Sequence, residues 1–335
     1  MKEQNNSGFF SVIAALIGNI FVTVLKFFGF FVSGSSVMFS EAVHSTADTA
    51  NQFLLFVGIK SSKKNPTDYF VYGFGRERFF WALISACGVF FIGAGVTVYH
   101  GIDSLIKGEA RETSLISLVI LVIAFLVESV TFVIALKELK SHHKKASFKH
   151  VLKEGDPTTI AVVLEDGVAI LGVAIAFVSL LLVEFTGWYF WDAIGSILIG
   201  LLLGVAAVIL ITKNRSFLVG KTMPEVLKDQ VIELLEKDPL IEKVLDFKSS
   251  VLGIDDYRIK CELEFNGTEL LDEVFRGDKL KTEYQLIKGD YGEFVRFCSS
   301  FSDRIPRLIG RKIDEMEKKI QAKVKGISHI DIELN

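Results

Sequence analysis

The chain has 335 residues, of which 50% are hydrophobic, and its mean hydropathy is +0.42. A water-soluble domain of this length is rarely so apolar, so the composition indicates a membrane protein. The formal net charge of −3 gives no support to nucleic acid as a partner. Three scattered cysteines, Cys87, Cys261 and Cys298, form neither a disulfide framework nor a CxxC metal site, and no prosthetic group is expected.

Six segments in the first part of the chain are long and apolar enough to cross about 30 Å of hydrocarbon. The second and fifth are interrupted by polar and ionisable residues, so we expect hydropathy alone to rate them as weak. We therefore predict an α-helical membrane protein with a six-helix transmembrane transport domain at residues 1–213. The predicted helices are 9–32, 37–59, 79–106, 113–136, 158–184 and 189–212.

Basic residues collect on one side of these predicted segments. The loop between the second and third segments and the loop between the fourth and fifth are rich in lysine and arginine, whereas the opposite loops are short. The positive-inside rule then places both termini in the cytoplasm, which agrees with an even number of spans. We expect a multi-pass protein of the bacterial inner membrane. The basic residues are Lys60, Lys63, Lys64, Arg76 and Arg78, and then Lys137, Lys140, Lys144, Lys145, Lys149 and Lys153.

The remaining residues, 214–335, have the composition of a soluble domain. Pro224 begins an amphipathic helix that ends near Asp238. Two strands, 243–250 and 257–265, follow, and then come a polar stretch, a helix and a final strand. This order predicts a small α+β cytoplasmic domain of the ferredoxin-like type. The polar stretch is 266–303, the second helix runs from about Pro306 to Lys325, and the last strand alternates at Ile330, Ile332 and Leu334.

The second predicted helix carries three ionisable residues on one face. Glu41, His44 and Asp48 are spaced by three and four residues, which is the spacing of neighbours on a helix surface. An imidazole and a carboxylate four residues apart can bind a divalent cation. The fifth helix carries Glu165 and Asp166 side by side. We predict that the two helices clamp one metal ion between these groups.

Two interpretations of the intramembrane charges remain open. A buried histidine–aspartate pair often serves only as a hydrogen bond between helices. Several carboxylates in lipid repel one another unless a cation or protons neutralise them, which favours a cation or proton pathway. Glu128, in the fourth segment, is either part of such a pathway or the partner of Lys26 in a salt bridge. Asp103 and Asp192 lie near helix ends, where an interfacial position is expected.

Several motifs resemble those of a known transporter family. Residues 40–48 read SEAVHSTAD after Gly34 and Ser35, residues 72–77 read YGFGRE, and residues 191–196 read WDAIGS. Together they resemble the cation diffusion facilitators over essentially the whole chain, and finer features are similar to the subgroup that includes the mitochondrial zinc transporter. The resemblance implies a proton-coupled antiporter that exports a divalent metal ion from the cytoplasm, with zinc as the favoured substrate. It also implies a homodimer whose cytoplasmic domains pair.

The resemblance also assigns metal ligands to particular positions. It implies that His44, Asp48 and Asp166 bind the transported ion. Zinc-selective members usually have a histidine four residues before the second aspartate, where this chain has Val162, and Glu165 is then the expected fourth ligand. One nitrogen and three oxygens form a harder site than is typical of zinc transport, which leaves manganese, iron or cobalt open as the substrate.

Further expectations concern the surroundings of this site. Glu41, where the family usually has an aspartate, and Glu128 are expected to act as proton relays or as partners that orient the ligands. Phe70 and Phe74 lie in the loop in which some relatives bind a second metal, so no loop site is expected. A membrane metal sensor is a rival of another class, although no recognisable output domain supports it. An enzyme is not expected, because HxxxD lacks the HExxH arrangement of zinc hydrolases.

Overall fold

The computed structural model describes residues 4–108, 115–142, 157–275 and 279–335. The chain divides into two compact units, Met1–Val219 and Gly220–Asn335, and each is described by itself. The division lies beyond the predicted boundary at residue 213, because the sixth helix continues to Val219. Gly220 follows it with φ of 114°, a conformation that favours glycine and commonly ends a helix. The roles of the two units as transport and cytoplasmic domains stay predictions.

The described part of the first unit folds into six long helices. The third contains a π-helical turn at Val89–Ala94, an irregularity that often occurs at functional sites. Each helix overlaps one of the six predicted segments. They are α1 (Gln4–Ser33), α2 (Ser36–Ser62), α3 (Glu77–Lys107), α4 (Leu115–His142), α5 (Pro157–Thr186) and α6 (Phe190–Val219).

Helices α3, α4, α5 and α6 are long and apolar enough to cross a membrane, by length and composition of their described residues. Helix α1 contributes a shorter apolar stretch, Gly18–Ser33. Helix α2 is not among these candidates, as expected from its polar residues. The expectation that the fifth helix would also be weak was wrong. Its window within Val163–Thr186 has a mean hydropathy of 2.6, because Glu165 and Asp166 precede a long run of apolar residues.

Helix α2 packs against four other helices, α1, α3, α5 and α6. It has the most polar composition of the six, and many of its polar side chains are buried. A polar helix enclosed by apolar neighbours keeps its side chains away from lipid, where they would be costly. The buried polar residues of α2 are Ser36, Ser40, Glu41, His44, Ser45 and Asn51.

Glycines allow α6 to approach α3 and α5 closely. A Cβ atom at Gly101 of α3 would lie 2.7 Å from Ile197 Cγ1 and 3.1 Å from the Ala193 carbonyl oxygen of α6. A Cβ atom at Gly195 of α6 would lie 2.1 Å from Ser179 Oγ of α5. Small residues at helix crossings permit this kind of backbone packing in membranes. A larger side chain at either glycine would force the helices apart.

The described residues of the second unit form a three-stranded sheet with helices packed on it. Strands β1 (Ile241–Gly253) and β2 (Asp256–Phe265) are antiparallel, and β3 (Ile327–Leu334) is parallel to β2, so the order is β1-β2-β3. Tyr257, Ile259, Cys261 and Leu263 of β2 are buried, because alternate residues of a strand point to the same face of the sheet. The helices are α7 (Glu225–Glu236), α8 (Gly267–Val274), α9 (Lys279–Ile287) and α10 (Tyr291–Lys323).

Much of the stretch 266–303 is helical, which corrects the expectation of a polar connection before the second helix. Helix α10 begins at Tyr291 rather than near Pro306, which lies inside it. The Asp290 carboxylate accepts a hydrogen bond from the Glu293 backbone N–H at 3.1 Å and thereby caps the helix. A strong cap at this position lets the helix begin well before the proline.

Aromatic packing stabilises the early part of α10. The rings of Phe275, Phe297 and Phe301 stack with centroid separations of 5.9–6.1 Å. The Arg304 guanidinium lies 5.7 Å from the Phe275 ring centroid, within range of a cation–π contact. These contacts offset the hydrogen bond that Pro306 removes from the helix.

Candidate metal centre

The first turn of α2 is fixed by a carboxylate from another helix. Asp192, at the start of α6, accepts hydrogen bonds from Ser35 Oγ at 2.6 Å, from the Ser36 N–H at 2.6 Å and from the Val37 N–H at 3.1 Å. A negative charge at a helix N-terminus also interacts favourably with the helix dipole. Asp192 lies in the first turn of α6, at a helix end as predicted, and is buried against α2; its interfacial position stays a prediction.

Helix α2 presents a stripe of four polar residues to the interior of the first unit. Glu41, His44, Asp48 and Asn51 are separated by three or four residues, so their Cβ atoms point to one side of the helix. Glu41 is fully buried and His44 is only 2% exposed. Helix α5, which carries Glu165, contacts α2. The stripe is therefore the polar lining of a protein interior.

His44 and Asp48 form the pair that the spacing predicts. His44 Nε2 lies 3.2 Å from Asp48 Oδ2. The approach is too poorly aligned for a hydrogen bond, and neither ring nitrogen of His44 makes one with a residue that the structure describes. Buried polar atoms normally have a partner, and a histidine nitrogen with none is suited to bind a metal. The interpretation of this pair as a simple packing hydrogen bond is therefore disfavoured.

Glu165 is held by a chain of hydrogen bonds that crosses three helices. Glu165 Oε2 accepts a hydrogen bond from Asn51 Nδ2 at 2.6 Å, and Asn51 Oδ1 accepts one from Ser85 Oγ of α3 at 2.6 Å. Sequence analysis missed Asn51 and Ser85. Asn51 had a usable signal, because it lies three residues after Asp48 on the polar stripe, whereas Ser85 had none.

The carboxylates of α2 and α5 are close enough to repel one another. Glu165 interacts electrostatically with both Asp48 and Asp166, and Asp166 interacts with Asp48. Among the side chains that the structure describes, no three from His, Cys, Asp and Glu stand together as a group that could hold an ion. Binding one ion between α2 and α5 therefore requires these groups to move closer together. Val162 lies one turn before Asp166, but its side chain is outside the described ones.

Lys26 of α1 connects two of the predicted relay residues. Its Nζ atom lies 2.7 Å from Glu41 Oε2 and 2.7 Å from Glu128 Oε1, and Lys26 has no exposed surface. The salt bridge considered for Glu128 is therefore present, and it extends to Glu41. The roles of Glu41 and Glu128 as relays or orienting partners stay predictions.

Comparison with known proteins identifies the family. Residues 12–219 match the cation efflux transmembrane domain. The chain belongs to the cation efflux family. Its resemblance to the cation diffusion facilitators is thus confirmed, and it is a multi-pass membrane transporter of metal cations rather than an enzyme. The matched region ends where the first unit ends, so it contains the polar stripe of α2 and its neighbours on α5.

Relatives of this efflux protein are similar over nearly its whole length. Metal tolerance protein C4 of Arabidopsis thaliana is 34% identical over 96% of this chain and 72% of its own length. The mitochondrial proton-coupled zinc antiporter SLC30A9 is 34% identical in Mus musculus and 33% in Homo sapiens, over 96% of this chain. The chain spans 58% of the length of those two antiporters.

Proposed function

We propose that this efflux protein is a proton-coupled antiporter that exports a divalent transition-metal ion from the cytoplasm, with zinc as the favoured substrate. The His44–Asp48 pair carries the proposal, because the buried ring nitrogens of His44 have no hydrogen bond within the described structure and Asp48 interacts electrostatically with the carboxylates of α5. The proposed ligands are His44, Asp48, Asp166 and Glu165. The names of the antiporter relatives are consistent with this activity.

The proposed exchange follows from the acid–base chemistry of the ligands. An imidazole and carboxylates bind a metal only when deprotonated, so metal and protons compete for the same lone pairs. A site that faces the cytoplasm takes up the ion and releases protons. When the site faces the other side of the membrane, protons bind the same groups and release the ion. Repulsion between Asp48, Glu165 and Asp166 favours binding of either kind of cation.

The choice of metal is the open part of the proposal. A site with His44 as its single nitrogen ligand and carboxylates as the others is harder than a site with two histidines. Zinc accepts both ligand types, but the oxygen-rich set also suits manganese, iron or cobalt. Val162, in place of a histidine, is the feature that favours these alternatives.

The proposed topology has α1 to α6 as six spans in the bacterial inner membrane, with both termini in the cytoplasm. Helix α2, although too polar to qualify by composition, crosses the membrane because its neighbours enclose its polar side chains. The second unit, proposed to be a ferredoxin-like cytoplasmic domain, pairs with its copy in a homodimer. The lipid bilayer, metal ions and protons are the remaining partners.

Metal uptake into inside-out vesicles that contain the purified chain tests the function. Zinc, manganese, iron and cobalt are supplied outside in turn, with the vesicle interior acidic or at the external pH. We expect zinc uptake to rise several-fold with the acidic interior and to return to the basal rate when an ionophore collapses the gradient. Empty vesicles provide the background.

Each other outcome has a distinct meaning. An uptake rate that is the same with and without the pH gradient would rule out proton coupling. Faster uptake of manganese, iron or cobalt than of zinc would favour the alternative substrates. Tight metal binding without any flux would support a sensor instead of a transporter.

A further inference from the structure

The ion cluster around Lys26 is the most deeply buried group of charges in the described part of the first unit. Lys26, on α1, and Glu41, on α2, have no exposed side-chain surface, and Glu128, on α4, is 14% exposed. Two buried carboxylates share one ammonium, so the cluster has a net negative charge when all three groups are ionised. A buried cluster of unbalanced charge is costly unless a further cation or a proton neutralises the excess charge.

Half of the carboxylate oxygens in this cluster are unused. Lys26 contacts Glu41 Oε2 and Glu128 Oε1, whereas Glu41 Oε1 and Glu128 Oε2 are buried without a hydrogen bond to any described residue. The space beside Glu41 depends on a glycine, because a Cβ atom at Gly172 of α5 would lie 2.7 Å from Glu41 Oε1. The cluster thus has four carboxylate oxygens, and its singly charged cation contacts two of them.

We infer that Lys26 is a resident cation that fills a second divalent-cation site formed by Glu41 and Glu128. The ammonium group occupies the position at which a metal ion would otherwise bind both carboxylates. Lys26 therefore restricts the chain to one divalent ion, held at His44. The inference rests on the proposed function only in taking His44 as part of the transport site.

The geometry of the cluster suits a divalent ion once the ammonium is gone. Both Lys26 contacts are 2.7 Å, so the two accepting oxygens are at most twice that distance apart. Metal–oxygen bonds to carboxylates are about 2.0–2.2 Å, so each oxygen would have to shift by only about half an ångström. The two free oxygens could complete the coordination, and a doubly charged ion would neutralise both glutamates.

Lys26 also separates the two candidate sites electrostatically. Glu41 lies three residues before His44 on the same face of α2, so a second ion at Glu41 would repel an ion at His44. A fixed single charge on a side chain gives less repulsion and cannot leave with the transported ion. This arrangement keeps Glu41 and Glu128 ionised without adding a mobile competitor.

The test measures the number of zinc ions bound per chain by the purified full-length protein. Lys26→Met removes the charge while keeping an unbranched side chain, and is expected to bind one more zinc ion than the wild type. The matched control combines Lys26→Met with Glu41→Gln and Glu128→Gln, which removes both carboxylates, and is expected to bind no more zinc than the wild type. Lys26→Met combined with His44→Ala is expected to keep the additional ion.

The His44→Ala combination separates this inference from the proposed transport site. If the wild type binds no zinc but the combination binds one ion, the resident-cation inference stands and the His44 site fails. If folded Lys26→Met binds the same number of ions as the wild type, the inference is overturned. Should Lys26→Met be unstable without metal, zinc must raise its melting temperature more than that of the wild type, and failure to do so overturns the inference equally.

Discussion

Replacing Asp192 with alanine should destabilise the first turn of α2, on which the position of the metal-binding stripe depends. The wild-type carboxylate accepts one hydroxyl and two backbone N–H hydrogen bonds within 2.6–3.1 Å in a buried position. Hydrogen bonds to a charged acceptor contribute about 1.5–3 kcal/mol each, and an unsatisfied buried N–H costs about 1–3 kcal/mol. Because such terms do not add fully, we expect the alanine variant to lose about 3–5 kcal/mol of stability.

Thermal unfolding in detergent, followed by tryptophan fluorescence, measures this loss. A change of this size lowers the melting temperature by roughly 10 °C in a unit of about 200 residues. Asp192→Asn keeps an oxygen acceptor without the charge and should fall between the alanine variant and the wild type. The control is Asp103→Ala, because the Asp103–Lys107 pair is partly exposed and such pairs contribute about 0–1 kcal/mol. Equal melting temperatures for Asp192→Ala and Asp103→Ala would refute the capping argument.

Three further predictions concern single side chains. Glu165→Gln should retain the hydrogen bond that the Asn51 side chain donates but lower zinc affinity at least tenfold if Glu165 is a ligand. Calorimetry that finds an unchanged affinity would remove Glu165 from the ligand set. Val162→His should raise the ratio of zinc to manganese uptake, because an imidazole binds zinc more strongly than manganese. An unchanged ratio would place residue 162 outside the site. Burial, with the charge of Glu317 nearby, raises the pKa of the Cys261 thiol to about 11, so at pH 8 only about a thousandth of it is thiolate. Alkylation of the folded protein at pH 8 should therefore modify the exposed Cys298 and spare Cys261, and equal labelling would contradict this burial.

Sequence periodicity predicted the polar stripe of α2 well because local geometry determines it. Glu41, His44 and Asp48 share a face in any α-helix, whatever the helix packs against. The partners of these residues were harder to predict. Lys26 reaches Glu41 across fifteen positions of sequence, and Glu128 reaches Lys26 across more than a hundred, so the pairing depends on how α1, α2 and α4 pack.

Capping and aromatic contacts explain why the long helix of the second unit begins earlier than the sequence predicted. Pro306 indicated a helix start, since proline is favoured in the first turn and is costly further in. The Asp290 cap and the stacked phenylalanines outweigh that cost and extend α10 to Tyr291. Asp192 lies at a helix end, as predicted, but its burial depends on the approach of another helix end, which sequence spacing does not reveal.

Zinc uptake by Asp48→Ala and Asp166→Ala tests the central claim, that one ion is carried between α2 and α5, most directly. Both variants are reconstituted beside the wild type and Asp103→Ala, after gel filtration has shown that each is folded. Each of the two variants removes one charged ligand from a site with few ligands, so we predict uptake at the level of empty vesicles, while Asp103→Ala retains the wild-type rate. Uptake at the wild-type rate by either Asp48→Ala or Asp166→Ala would contradict this placement of the site.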